Sequence, residues 1–358
     1  MDTPGGKPIP LANSPMNNLP KKYRHGLVFG KFMPLHEGHL HLLRFASASC
    51  ERLTILVCSL PTEPISGEIR YQWVKASFPE ATVVHHSKIV PQYPEEHPEF
   101  WQIWKNTILD HAPQKDFDTL FTSEDYGWRM AKELAITHIP VDRIRTLVPI
   151  SGTEIRANPL KHWEHLPAIT RPYFVKRVRI VGPESSGKST LTQTLAKQFK
   201  TSFADEYARR LLDEYVRSDG RIAGEVHPED IETIARGQLA TEDALAFHAN
   251  RVLFLDTDLK TTQFWSHYYF KKCPTWIEEE AKNRTYDLTL LLTPELPWVT
   301  DPQRAMESLT ERNAYFDWWK QELDQDKAPY VIIEGTDGNT RTNAALQAVL
   351  ALGITLPS

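Results

Sequence analysis

From Leu27 onward, short apolar runs alternate with helix-length segments, and this alternation constrains the fold more than any other feature of the chain. Such a pattern favours parallel strands covered by helices on both faces. "GLVFG", "LTILVCS", "ATVVHH", "DTLFTS" and "IRTLVPI" read as strands of a first sheet. "GHLHLLRFASASC", "EIRYQWVKASF", "EFWQIWKNTILDHA" and "EDYGWRMAKELA" read as the helices between them. The segment "LPAITRPYFVKR" carries two prolines and interrupts the rhythm, so a linker is expected there, at 169–176. The alternation then restarts, with "VRIVG", "SFAD", "RVLFLD", "YDLTLLLT" and "YVIIEG" as strands of a second parallel sheet. The expected fold class is therefore α/β in two domains, residues 24–168 and 177–358, the first a doubly wound Rossmann-like domain. Residues 1–23, rich in Pro, Gly and Asn, read as a flexible tail.

Length and charge fit this division. A chain of 358 residues is long for one core. The formal net charge of −5 gives no general attraction to nucleic acid, so anion binding has to come from local sites and small phosphorylated ligands. Three cysteines, Cys50, Cys58 and Cys273, lack both paired zinc-type spacing and an even count, which points to a reducing cytoplasm. No apolar run is long enough for membrane insertion, and the first residues lack the apolar core of a signal peptide. Homo-oligomerisation is compatible with all of this.

Two glycine turns carry the chemistry. In "FGKFMPLHEGH", residues 29–39, Gly30 ends a buried strand without a side chain to obstruct a ligand. The turn through Lys31 and Phe32 leads into a helix whose first amides can hold an anion. His36 and His39 stand three apart, so both rings can donate hydrogen bonds to one phosphoryl group, with Gly38 leaving room. A helix cap, or a zinc site shared with His41, is the plainer alternative for a histidine pair. The pattern resembles the H-x-G-H signature of nucleotidylyltransferases, which transfer AMP or a related nucleotide from the triphosphate. That resemblance implies a second motif after the last strand, and "ISGTEIR" stands at 150–156. There Ser151, Gly152 and Thr153 would bind ATP phosphates and Arg156 would add a fixed positive charge. Alone, it also reads as an ordinary Ser/Thr helix cap.

"GPESSGKST" follows the strand "RVRIV" and precedes the helix "LTQTLAKQF", the context a P-loop needs. Amides from Gly182 through Glu184, Ser185, Ser186 and Gly187 to Lys188 would surround a phosphate. Lys188 would reach the terminal phosphates, and Ser189, beside Thr190, would ligate Mg²⁺. At the end of "VLFLDTD", Asp256 and Asp258 can hold metal-bound water or substrate, with helix capping as the alternative. "FADEYARR" offers Asp205, Glu206, Tyr207 and Arg209 for a ribose hydroxyl, with Asp205 the chosen contact or base. In "PWVTDPQRAMESLTERNAYFDWW", Arg304 would close over the transferring phosphate as part of a lid, and Trp298 would stack on a substrate ring or simply pack.

Together "GKFMPLHEGH", "GEIRYQWV", "VPQYPEEHPEFWQIW", "FTSEDYG", "ISGTEIRANP", "VGPESSGKSTL", "FADEYARR", "FLDTD" and "PWVTDPQR" resemble the bacterial bifunctional NadR family over about residues 24–358. The resemblance implies a nicotinamide-mononucleotide (NMN) adenylyltransferase joined to a ribosylnicotinamide kinase, both using ATP and Mg²⁺ in NAD salvage. On that basis His36, His39 and Arg156 act at the α-phosphate and leaving pyrophosphate, and Lys31, Ser151 and Thr153 bind ATP. Trp73 and Trp104 are nicotinamide contacts, and Asp256 joins Ser189 on Mg²⁺. A different phosphorylated vitamin as acceptor, such as phosphopantetheine, stays open, as does a non-catalytic NAD or ATP sensor. Two departures stand out: the first 22 residues are too short and proline-rich for the helix-turn-helix that family members often carry, and Pro302 replaces the glycine usual after the lid aspartate.

Overall fold

In the computed structural model, described for residues 21–111 and 116–357, the chain divides into two compact units at Thr170 and Arg171. The tail reading falls mostly on residues 1–20, outside the described residues, as does the end of the third expected helix at Ala112.

The first unit runs β1 (Tyr23–Gly30), α1 (Glu37–Ser49), β2 (Cys50–Cys58), α2 (Gly67–Ser77), β3 (Thr82–His86), α3 (Phe100–Asp110), β4 (Thr119–Thr122), α4 (Gly127–Leu134), β5 (Thr137–Pro140) and α5 (Gly152–Ala157). All five strands are parallel, in the order β3-β2-β1-β4-β5. β1 thus begins three residues after the undescribed segment and inside the span read as tail. Its register is set by the Asp118 carboxylate, which accepts from the Arg24 and His25 amides at 2.8 and 3.2 Å. Central strands of such sheets are buried on both faces, which explains the unbroken apolar run Leu27–Phe29. α3 covers one face by packing Trp104 and Ile108 against Leu27 and Leu56. Strand order reverses between β1 and β4, and a crevice opens at the carboxyl ends of those strands, where such folds bind ligands.

One expected strand is absent. "IRTLVPI" forms a loop, and the last strand is instead "THIP", paired with β4. Ile144 and Leu147 point into solvent at 75% and 68% exposure, so their apolar character does not mark a core strand. The amides that would have joined a ladder are taken by the Asp142 carboxylate, which accepts from Thr146, Leu147 and Val148 at 2.9 to 3.2 Å. This is an aspartate turn, in which a side chain supplies the hydrogen bonds that a neighbouring strand would otherwise give.

The second unit begins with a helical turn, α6 (Arg171–Phe174), where a linker was expected, and continues with β6 (Lys176–Val181) and α7 (Lys188–Gln198). Then come β7 (Phe203–Ala204), α8 (Tyr207–Ser218), α9 (Pro228–Ala246), β8 (Val252–Asp256), α10 (Leu259–Phe270), α11 (Thr275–Asn283), β9 (Leu288–Leu292), α12 (Leu309–Asp326), β10 (Tyr330–Ile333) and α13 (Gly338–Leu350). The parallel order is β10-β9-β6-β8-β7, so β6 lies at the centre and the turn after it opens at the switch point. α12 seats Tyr315, Trp319 and Leu323 against Val181 and Leu291.

A buried ion pair ties this core together. Arg179 on β6 reaches the Asp258 carboxylate at 2.5 Å and the Thr289 hydroxyl at 2.8 Å, and its guanidinium lies 4.6 Å from the Tyr286 ring centre. Asp258 also caps α10 by accepting from the Thr261 amide at 3.1 Å. Removing one partner of such a pair strands a buried charge, at a cost of about 3–5 kcal/mol. Arg179→Met is therefore expected to lower the stability of the second unit by about that amount, measured as a lower urea midpoint for loss of its nucleotide binding in the full chain.

Candidate active sites

At the carboxyl end of β1, a cavity of about 670 Å³ is lined by Gly30, Lys31, Phe32, His36, His39, Trp104, Ser151, Gly152, Thr153 and Arg156. Two turns far apart in sequence meet there. A Cβ on Gly152 would stand 2.7 Å from the Met33 carbonyl oxygen, a distance that real Cβ atoms essentially never show, so glycine lets α5 dock on the β1–α1 turn. Arg156 donates from one guanidinium nitrogen to that same Met33 carbonyl and from another to the Thr153 hydroxyl at 3.0 Å. The Ser151 hydroxyl is occupied by a capping box: it donates to the Glu154 carboxylate at 2.6 Å and accepts from the Glu154 amide at 3.2 Å.

His36 and His39 stack with ring centres 3.8 Å apart. His36 Nδ1 accepts from the Gly38 amide at 3.1 Å, which leaves Nε2 to carry the proton as a donor. Burial lowers the His36 pKa to about 2, helped by His39, Arg145, His165 and Arg156. Burial lowers His39 to about 4, with the Pro34 carbonyl opposing and Arg145 adding to the effect. The Pro34 carbonyl, and the smaller number of neighbouring cationic groups, make the His39 shift the smaller of the two. Both rings are therefore neutral hydrogen-bond donors at neutral pH.

Lys31 is held from behind. Its ammonium lies 2.8 Å from Glu63, and the wholly buried Arg70 bonds Glu63 at 2.5 Å and the Lys31 carbonyl at 2.7 Å. Trp104 stacks on Phe29 at 5.8 Å, and its indole N–H donates to the Pro91 carbonyl at 2.8 Å. Trp73, the other tryptophan expected at the nicotinamide, is instead buried in α2 and does not line the cavity. Trp101, Tyr126 and Arg145 line it without having been singled out. Arg145 lay within the segment misread as a strand. Trp101 and Tyr126 lie in the motifs "VPQYPEEHPEFWQIW" and "FTSEDYG", which carry the resemblance without giving either residue a role.

In the second unit a pocket of about 200 Å³ lies over the P-loop, lined by Gly182, Glu184, Ser185, Ser186, Gly187, Lys188, Ser189 and Thr190. Gly182, at φ +142°, passes so close to β9 that a Cβ would stand 2.6 Å from the Leu292 carbonyl oxygen. The Lys188 ammonium donates to the Gly182 and Pro183 carbonyls at 3.0 Å each. Arg341 on α13 braces the loop from below, donating to Ser186 O at 2.6 Å and Thr293 O at 3.0 Å.

The acidic candidates separate. Asp256 is 3% exposed, and its Oδ1 is sealed with no hydrogen-bond partner. Burial raises its pKa, the Glu206 charge adds to this, and Lys188 and the Ser189 hydroxyl oppose it. An orphaned carboxylate oxygen beside a hydroxyl and a second carboxylate is a donor set that fits a divalent cation. Glu206 and Arg209 line the pocket, whereas Asp205 lies outside it, 3.7 Å from Arg210. Tyr207 also lies outside, its ring packed on the α9 backbone at Gly237. Asp258, expected at the substrate, is spent on Arg179 and the α10 cap. Arg304 lines the pocket and lies 5.9 Å from the Trp298 ring centre, and Trp298 itself stands back from the lining. Trp265 and Tyr269 on α10, stacked at 5.5 Å, form an aromatic wall of the pocket in a segment that none of the quoted motifs covers.

Two glycine turns, each at the switch point of its own parallel sheet, define a nucleotidylyltransferase-like unit followed by a P-loop unit. Comparison with known proteins agrees. The cytidylyltransferase-like family matches residues 27–158, and an AAA domain matches residues 177–341. The trifunctional NAD biosynthesis/regulator protein NadR of Escherichia coli K12 is 31% identical over 332 residues, covering 88% of this chain and 80% of the relative. Its Salmonella typhimurium LT2 counterpart is 30% identical and covers 90% and 82%. A crystal structure of a NadR protein with NR superposes with a TM-score of 0.74 at 23% identity, covering 94% of this chain and 98% of that one. Another, with NAD and AMP-PNP, gives 0.72 at 22% identity. The chain belongs to the NadR family.

The buried histidines make the first unit acid-sensitive. Their folded pKa values lie below the unfolded value near 6.5, so their contribution to stability is present above pH 6.5 and is lost as pH falls towards 4 and below. Urea midpoints between pH 7 and 4 are expected to report a loss of about 1–3 kcal/mol, and the double variant His36→Asn with His39→Asn should flatten that dependence.

Proposed function

We propose that the two units catalyse successive ATP-dependent steps of NAD synthesis: the second phosphorylates ribosylnicotinamide to NMN, and the first joins NMN to AMP. The observation that carries this reading is that each glycine turn opens into a pocket of its own, in a chain of the NadR family.

In the second unit the 5′-hydroxyl oxygen of the nucleoside attacks the γ-phosphorus of ATP, the bond to the β,γ-bridging oxygen breaks, and ADP leaves. Loop amides and Lys188 hold the phosphates, so the ammonium exchanges its bonds to the Gly182 and Pro183 carbonyls for phosphate oxygens. Glu206 takes the role first given to Asp205, orienting the hydroxyl and accepting its proton, because it faces the pocket. Ser189 and Asp256 would hold Mg²⁺, which when bound offsets phosphate charge. Trp265 and Tyr269 offer a flat face for the nicotinamide ring.

In the first unit a phosphate oxygen of NMN attacks the α-phosphorus of ATP and pyrophosphate leaves. Neutral His36 and His39 donate hydrogen bonds to the phosphoryl oxygens, while Arg156 and Lys31 offset the charge on the leaving group. Phe29, Trp101, Trp104 and Tyr126 form the apolar wall against which a nicotinamide would lie.

His39→Ala is expected to lower NAD formation from NMN by about 10²–10³-fold while phosphorylation of ribosylnicotinamide continues. Lys188→Ala should do the reverse. The two steps are read separately, phosphorylation with ribosylnicotinamide, ATP and Mg²⁺ and adenylyl transfer with NMN, ATP and Mg²⁺; equal loss of both activities in either variant would refute separate sites.

A further inference from the structure

The P-loop pattern fixes Gly182, Gly187, Lys188 and Ser189 but leaves the residues between the glycines free. A carboxylate among amides that bind an anion repels that anion, so Glu184 needs a task directed away from the phosphates.

Its surroundings supply one. Glu184 Oε2 accepts from the Ala305 and Met306 amides at 2.9 and 2.8 Å. The Ser185 hydroxyl accepts from the Val299 amide at 3.1 Å and from the Arg304 guanidinium at 3.0 Å. The lid segment 299–306 is thus held at both ends by two adjacent P-loop side chains, with Arg304 between the anchors.

The segment itself is stiff. The Arg304 amide closes a turn on the Asp301 carbonyl at 3.0 Å, and the Asp301 carboxylate accepts from the Gln303 amide at 2.9 Å and from Arg209 at 2.8 Å. Pro302 is the second residue of that turn, where its fixed φ fits. Gly224 packs against the Pro302 carbonyl so closely that a Cβ there would stand 2.1 Å away. On the far side, Met306 is buried with Tyr315 and Trp319.

We propose that Glu184 and Ser185 are positioning residues for Arg304: the phosphate loop carries the lid arginine through these two side chains, so loop and lid act as one body at the transferring phosphate. Pro302 is consistent with this, since a lid held by the P-loop needs a rigid turn rather than a flexible one. The assignment rests on the kinase reading of this unit, and two measurements on the full chain keep the two ideas apart.

The first measurement is hydrogen exchange of a peptide spanning 299–306, which needs no turnover. In Glu184→Ala the Ala305 and Met306 amides should exchange about tenfold faster or more, while α7 keeps its wild-type protection and thereby reports an intact fold. Glu184→Gln, which keeps an acceptor oxygen, should exchange at an intermediate rate, and Ser185→Ala should loosen the Val299 end alone. The second is a double-mutant cycle in the kinase assay. Glu184→Ala should lower kcat by about tenfold with little change in the KM for ATP, and should cost nothing further once Arg304 is already alanine. Unchanged exchange at 305 and 306, or full additivity with Arg304→Ala, would overturn the proposal. Wild-type chain inert towards ribosylnicotinamide would defeat the kinase reading while leaving the exchange test intact.

Discussion

Both pockets depend on a place where one stretch of backbone meets another with no side chain between them. In the first unit α5 can dock on the β1–α1 turn only because residue 152 lacks a Cβ, and in the second the loop after β6 can pass over β9 only because residue 182 lacks one. These contacts bring amides, a lysine and an arginine onto a common centre at the carboxyl edge of each sheet. Neither site is made by its own motif alone: Arg156 has to bond the Met33 carbonyl, and Arg341 has to hold the Ser186 carbonyl.

Electrostatics differs between the two sites for a reason that follows from burial. In the first, stacked and shielded imidazoles stay uncharged, so positive charge comes from arginine and lysine at the rim while the histidines supply directed N–H groups. In the second, burial instead strains a carboxylate, Asp256, whose orphaned oxygen gains most from a cation nearby. The linings are otherwise alike in charge, with Lys31, Arg145 and Arg156 in the first pocket and Lys188, Arg209 and Arg304 in the second.

Much of the fold was legible in the sequence. Parallel strands buried on both faces show as continuous apolar runs, and a glycine turn between such a run and a helix marks a switch point. Legibility failed where a side chain replaced a backbone partner. Asp142 satisfied three amides that pattern alone assigned to a strand, and the misreading also hid Arg145 among the site residues. Asp258 and Trp73 were credited with binding because motif proximity does not reveal direction: one side chain turns to Arg179 and the other into the core. The choice between Asp205 and Glu206 is of the same kind, since adjacent residues after a strand point opposite ways. Contacts such as Glu184 with residues 305 and 306 are over 120 positions apart and leave no local trace.

The Arg341 brace has a consequence for how the protein is made. Arg341 lies 155 residues beyond the serine whose carbonyl it holds, so on the ribosome the nucleotide loop waits for nearly all of its unit to emerge. Arg156 stands in the same relation to Met33, 123 residues earlier. The residue that braces each glycine turn is therefore among the last of its unit to be synthesised, and the turn is without that brace until then.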